Sequence, residues 1–107
     1  MNEKLEKKLE QEYLQVSHMF HREYGIYPSR FLQMLQEHGA IQTTIRLVMD
    51  TIYHEGFTKL WELGRLDISV EAIILREPYR NLFSDDVLNR AKEKLQELGY
   101  SADYLSR

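Results

Sequence analysis

Residues 56–75 read GFTKLWELGRLDISVEAIIL, and the fold turns on whether the glycines and the tryptophan here form a site or a scaffold. Thr58 is placed to cap a short helix through Leu63, with Gly64 closing it. Ser69 is placed to cap a second helix that runs through Leu75 before Pro78 interrupts. Ile68 and Ile73 stand at the two positions around Ser69 that form a hydrophobic staple, which fixes how the chain enters that helix. On this reading the glycines bound helices and cradle no ligand. Trp61, between Leu60 and Leu63, is then expected in the core with its N–H bonded.

The same devices recur outward from this stretch. Downstream, Ser84 follows Phe83 and precedes Asp85 and Asp86, whose charges favour a helix N-terminus, and Leu88 stands opposite Phe83 in a second staple. The helix this starts, over 85–98, turns Leu88, Ala91, Leu95 and Leu98 inward and stops at Gly99. Upstream, Leu5, Leu9, Tyr13, Val16, Phe20 and Tyr24 recur at helical spacing over 3–24, and Gly25 and Pro28 end that helix. A short helix over 29–38 carries Phe31, Leu32, Met34 and Leu35 and stops at Gly39. Residues 40–54 hold Ile41, Thr44, Ile45, Val48 and Ile52 in helical register; their β-branched content suits a strand, but the period is the stronger signal. The expectation is an all-α fold, a single compact domain of about five to six helices joined by short turns. It divides into a long N-terminal helix at 1–24, a helical core at 29–99 and a tail at 100–107.

Composition agrees and removes several chemistries. A chain of 107 residues has room for one core, burying roughly 65% of its unfolded surface. Hydrophobic residues at 43% and charged residues at 29% are ordinary for a globular protein. No apolar run approaches the ~18 residues of a spanning helix, and MNEKLEKKLEQEYL lacks the pattern of a secretory signal. These features point to the cytoplasm and to no membrane partner. Without cysteine there is no disulfide frame, thiolate nucleophile or cysteine zinc site. Fourteen Lys and Arg against seventeen Asp and Glu give a net charge of −3, which supplies no global pull toward nucleic acid.

Residues 56–99, with GFTKLWELGRLDISVE, then LF and an acidic cap, then a helix ending LGY, resemble a small helical module of bacterial proteins whose motif is of the form GFTxLWExGRLDxSVE. The Phe-Leu-x-Met-Leu helix that sometimes precedes it is matched by FLQML at 31–35. The resemblance covers about two thirds of the chain. It implies a recurring fold unit and brings neither catalytic residues nor a ligand.

Two kinds of functional surface can be read from the residues. The segment 31-FLQMLQEHGAIQTTIRLV-48 aligns Gly39 with the turn glycine of a helix-turn-helix. Its outward residues would be Gln42, Thr43 and Arg46, side chains able to meet adenine, a thymine methyl or phosphate, and guanine or phosphate respectively. Only Arg46 is basic among them, and Asp50 lies one turn on. The other surface is a protein contact. Leu14 and Met19 add apolar area beyond one face of the first helix, which suits partner docking or a homodimer through that helix. Tyr79 and Arg80, after Pro78, supply amphipathic contact area.

The remaining candidates read as structural. His18 and His21 are three apart, a spacing that can aim two imidazoles at one metal, but no third ligand stands near, and no metal or cofactor is expected. His38 and His54 are expected in last helical turns, where a partly protonated ring favours the helix dipole. Arg65 and Asp67 are expected to pair with each other. No phosphate loop, nucleophile elbow or HExxH is present. The reading is therefore a non-enzymatic protein-interaction module, an accessory, inhibitor or regulatory protein of a bacterial or phage system. The alternative is a small helix-turn-helix DNA-binding regulator.

Overall fold

The computed structural model describes residues 2–100, and among them all regular structure is helical. Five α-helices follow in order: α1 (Asn2–Tyr24), α2 (Ser29–Met49), α3 (Glu55–Glu62), α4 (Val70–Ile74) and α5 (Asp85–Glu97). Two short 3-10 turns, Leu66–Ile68 and Tyr79–Leu82, join the later helices. α1 lies along α2, α5 packs on α4 and α2, and the Tyr79–Leu82 turn sits against α1. Among the described residues no helix is long and apolar enough to cross a membrane.

Both serine caps form as the sequence implies. Ser69 Oγ accepts from Ala72 N–H at 3.2 Å, and Ser84 Oγ accepts from Val87 N–H at 3.4 Å. Phe83 and Leu88 of the second staple are both buried. Arg65 pairs with Asp67, Nε to Oδ1 at 3.1 Å, and also reaches the Tyr24 hydroxyl at 3.1 Å.

α2 joins the two helices expected on either side of Gly39 into one bent element. Gly39 has φ 82° and ψ 170°, outside helical space and in the positive-φ region that a side chain resists. Polar side chains close the break. Ile41 N–H, an orphan donor of the second half, donates to Glu6 Oε2 of α1 at 3.0 Å. Thr43 Oγ1 donates back to the Met34 carbonyl of the first half at 2.9 Å, and Thr44 Oγ1 donates to the Ala40 carbonyl at 2.7 Å.

Several expected boundaries and burials are corrected. The helix begun at Ala40 ends at Met49 and not at 54, because Asp50 is extended and its carboxylate accepts from Ile52 N–H at 3.1 Å, a local turn that competes with helix. Ile52, expected inward, is 73% exposed. His54 stands at the N-terminal boundary of α3, not in a last turn, and Thr58 lies inside α3 instead of capping it. Trp61, expected in the core, is 49% exposed. α3 packs chiefly on the Leu66–Ile68 turn, burying Phe57 and half-burying Leu60, and the last turn of this eight-residue helix leaves the indole partly in solvent. Of the expected tail, Tyr100 is half-buried with its N–H on the Leu95 carbonyl at 2.9 Å, and residues 101–107 lie outside the described residues.

Candidate functional site: an apolar cleft beside a buried ion pair

At the centre of the molecule lies a charged pair that periodicity did not reveal. Lys94 of α5 is fully buried, and its Nζ donates to Glu71 Oε2 of α4 at 2.7 Å and to the Leu47 carbonyl at 3.0 Å. Leu47 belongs to the last turn of α2, where carbonyls lack helical partners and favour a cation. The Phe57 ring centroid lies 4.9 Å from the same Nζ, and the Tyr53 centroid 5.8 Å. One ammonium thus ties α2, α3, α4 and α5 together. Signals were present: Glu71 is set among apolar residues in SVEAII, and Lys94 falls on the Val87, Ala91, Leu95 stripe of α5.

Next to this pair opens a cleft of about 790 Å³ between α1, the first half of α2, α3 and α4. Phe20, Phe31, Met34, Leu60 and Val70 are among its apolar walls, and Glu71 and Tyr13 reach it from the core side. The Tyr13 hydroxyl and Thr44 Oγ1 lie 2.5 Å apart. Thr44 spends its own proton on the Ala40 carbonyl, so the phenol is the donor of that pair. Burial pushes the Tyr13 phenol well above its ordinary value, and it stays protonated. Arg30, Lys59, Glu55 and Glu62 lie along the cleft, a mixture of both signs.

The residues singled out from sequence fall elsewhere or are occupied. Gln42 and Arg46 are exposed on the second half of α2, but Thr43 is 0% exposed and cannot read a base or a phosphate. Its hydroxyl is drawn inward by the Met34 carbonyl that the bend leaves open. Tyr79 is likewise buried and not a contact surface, its hydroxyl donating to Glu12 Oε1 at 3.2 Å. Arg80 is half-buried and lies 3.9 Å from Glu77. Leu14 and Met19 are half-buried. Leu14 lines a smaller cavity of about 520 Å³ between α1 and α2, together with His18 and His21. Among the described residues no three potential metal ligands converge.

No family model matches the chain, and no curated protein or solved structure is significantly similar to it.

Proposed function

We propose that this chain is a non-enzymatic protein-interaction module of the cytoplasm, an accessory, inhibitor or regulatory protein of a bacterial or phage system, and that it seats an apolar helix of its partner in the cleft. The observation that supports this reading is the cleft itself. Val16, Phe31, Met34, Leu60 and Val70 remain half-buried around one concavity. Covering such area is favourable by roughly 25 cal/mol per Å², and a concave apolar site is the usual form of a binding surface. Two of the polar groups there are engaged structurally, Tyr13 with Thr44 and Glu71 with Lys94. Docking through α1 has less support, since its stripe of Leu9, Tyr13, Ser17 and Phe20 is spent inside the fold.

The test is position-dependent photo-crosslinking in cells. A benzophenone amino acid at Lys59, exposed on the cleft, is expected to give a protein adduct; the same group at Gln96, exposed on α5, is not. Phe31→Asp, which charges the cleft wall, should abolish the adduct without unfolding the chain. Equal adducts from both positions, or persistence in Phe31→Asp, would remove the reading. The regulator reading has lost Thr43 from its contact set, and fluorescence anisotropy of a labelled duplex at low salt addresses it directly. Binding that weakens with salt and with Arg46→Ala would restore it.

A further inference from the structure

The wall of the cleft holds a nearly buried carboxylate with one oxygen left open. Glu71 is 2% exposed and lines the cleft, and among the described residues its carboxylate takes a single hydrogen bond, from Lys94 to Oε2. Oε1 has no donor among the described residues. Among the described residues the one fully buried side-chain nitrogen or oxygen without a partner is His54 Nε2. Oε1 is therefore not sealed, and it holds the small solvent contact that Glu71 retains. The open space that Glu71 borders is the cleft.

Charge decides what such an acceptor recognises. Lys94 lies 2.7 Å from the other oxygen, so the pair is neutral as a unit. A ligand cation at Oε1 would face the Lys94 ammonium, and a ligand anion would face the carboxylate oxygen itself. A purely apolar ligand would strip water from Oε1 and return nothing, which costs about 1–3 kcal/mol. An uncharged hydroxyl or amide N–H avoids all three penalties. Resting on the cleft as the binding site, we propose that Glu71 Oε1 is a specificity-determining acceptor, selecting a partner helix whose apolar face carries one uncharged donor, a Ser, Thr, Asn or Gln side chain.

The experiment uses the full chain, isotope-labelled, with 1-octanol and the isosteric 1-methoxyheptane as probes and amide chemical shifts as the readout. The alcohol should perturb the amides of 70–73 and bind roughly ten-fold tighter than the ether, which accepts but cannot donate. Octylammonium and octanoate should bind no better than the ether. In Glu71→Leu combined with Lys94→Met, which removes acceptor and countercharge together and keeps an apolar interior, the alcohol-to-ether ratio should fall to about one. Equal binding of alcohol and ether by the unmodified chain overturns the donor selection and leaves the cleft as an apolar site. Preference for octylammonium overturns the neutrality argument. Failure of every probe to shift the cleft amides overturns the binding site itself. The comparison of probes on the unmodified chain needs no variant to fold.

Discussion

The molecule has a sealed side and an open side, and Glu71 belongs to both. Toward α5, Ala72, Ile74, Ala91 and Leu95 have no exposed surface, and the one ammonium among them has a carboxylate, a carbonyl and an aromatic face around it. Toward α1 and α3 the same kinds of side chain, Val16, Phe31, Leu60 and Val70, stop half-buried around a cavity. Both sides are built from helices with apolar stripes, so composition does not distinguish them. The difference is whether a second helix face arrives to cover the stripe. α5 covers α4, and among the described residues nothing performs that service for the cleft. Stability should therefore reside on the sealed side and binding on the open one.

The largest effect expected from this contrast comes from breaking the ion pair. Lys94→Met alone leaves the Glu71 carboxylate buried without its countercharge, and the unfolding free energy in urea should fall by about 3–5 kcal/mol. Adding Glu71→Leu should return most of that loss, because paired burial of charge contributes little over a well-packed apolar substitute. If the double variant is as unstable as the single, the pair does more than neutralise itself.

Smaller and more direct is a pair of truncations, one on each side. Ile74→Ala opens a void where the side chain is fully enclosed and should cost about 2–5 kcal/mol. Leu60→Ala, on the cleft wall, removes a side chain already half in solvent, and about 1 kcal/mol is expected. Equal losses in chemical denaturation would mean that the cleft is closed in solution. Gly39→Ala comes next, at about 1–2 kcal/mol of lost thermal stability. The bend it supports turns Phe31 and Met34 toward the cleft while the second half presents Thr44 and the Leu47 carbonyl to the core. An added Cβ would also meet Glu6 Oε2 at 3.3 Å, against the carboxylate that caps the second half.

Much of the helical layout was legible in the sequence, because local chemistry determines it. Ser69 and Ser84 cap through side-chain oxygens within three residues, and the positive-φ glycines after α1, α3 and α5 mark ends that any L side chain resists. What was not legible depends on residues distant in the chain. Thr43 faced outward on a helical wheel until the bend at Gly39 exposed the Met34 carbonyl to it. Trp61 had core spacing, yet the turn that α3 packs on does not reach that far. Glu71 and Lys94 are 23 residues apart, and a charge on an apolar stripe looks like a defect until its partner is brought to it. The cleft is a further step removed, since it is the place where no such partner arrives.

Tyr13 stands at the seam between the two sides, and its titration reports to which of them it belongs. At neutral pH, Tyr13→Phe removes one hydrogen bond while Thr44 keeps its bond to the Ala40 carbonyl, so a loss of about 0.5–1.5 kcal/mol is expected. The phenol's folded value is raised above the ordinary 10.0 by burial, with the Glu71 charge adding to it. A raised value means that the contribution is fully present below pH 10 and is lost as pH climbs beyond it, because the unfolded chain ionises there and the folded one does not. Urea midpoints of the unmodified chain should fall above that point. Those of Tyr13→Phe should fall less steeply, with a residual slope from Tyr79, whose phenol is also raised by burial and by Glu12 beside it, and from Tyr53, raised by its hydrogen bond to Glu97. The two curves should converge as pH rises. Parallel curves would show that Tyr13 ionises in place, which requires water at its hydroxyl and would put the residue on the open side, with the cleft reaching past Glu71 into the centre of the fold.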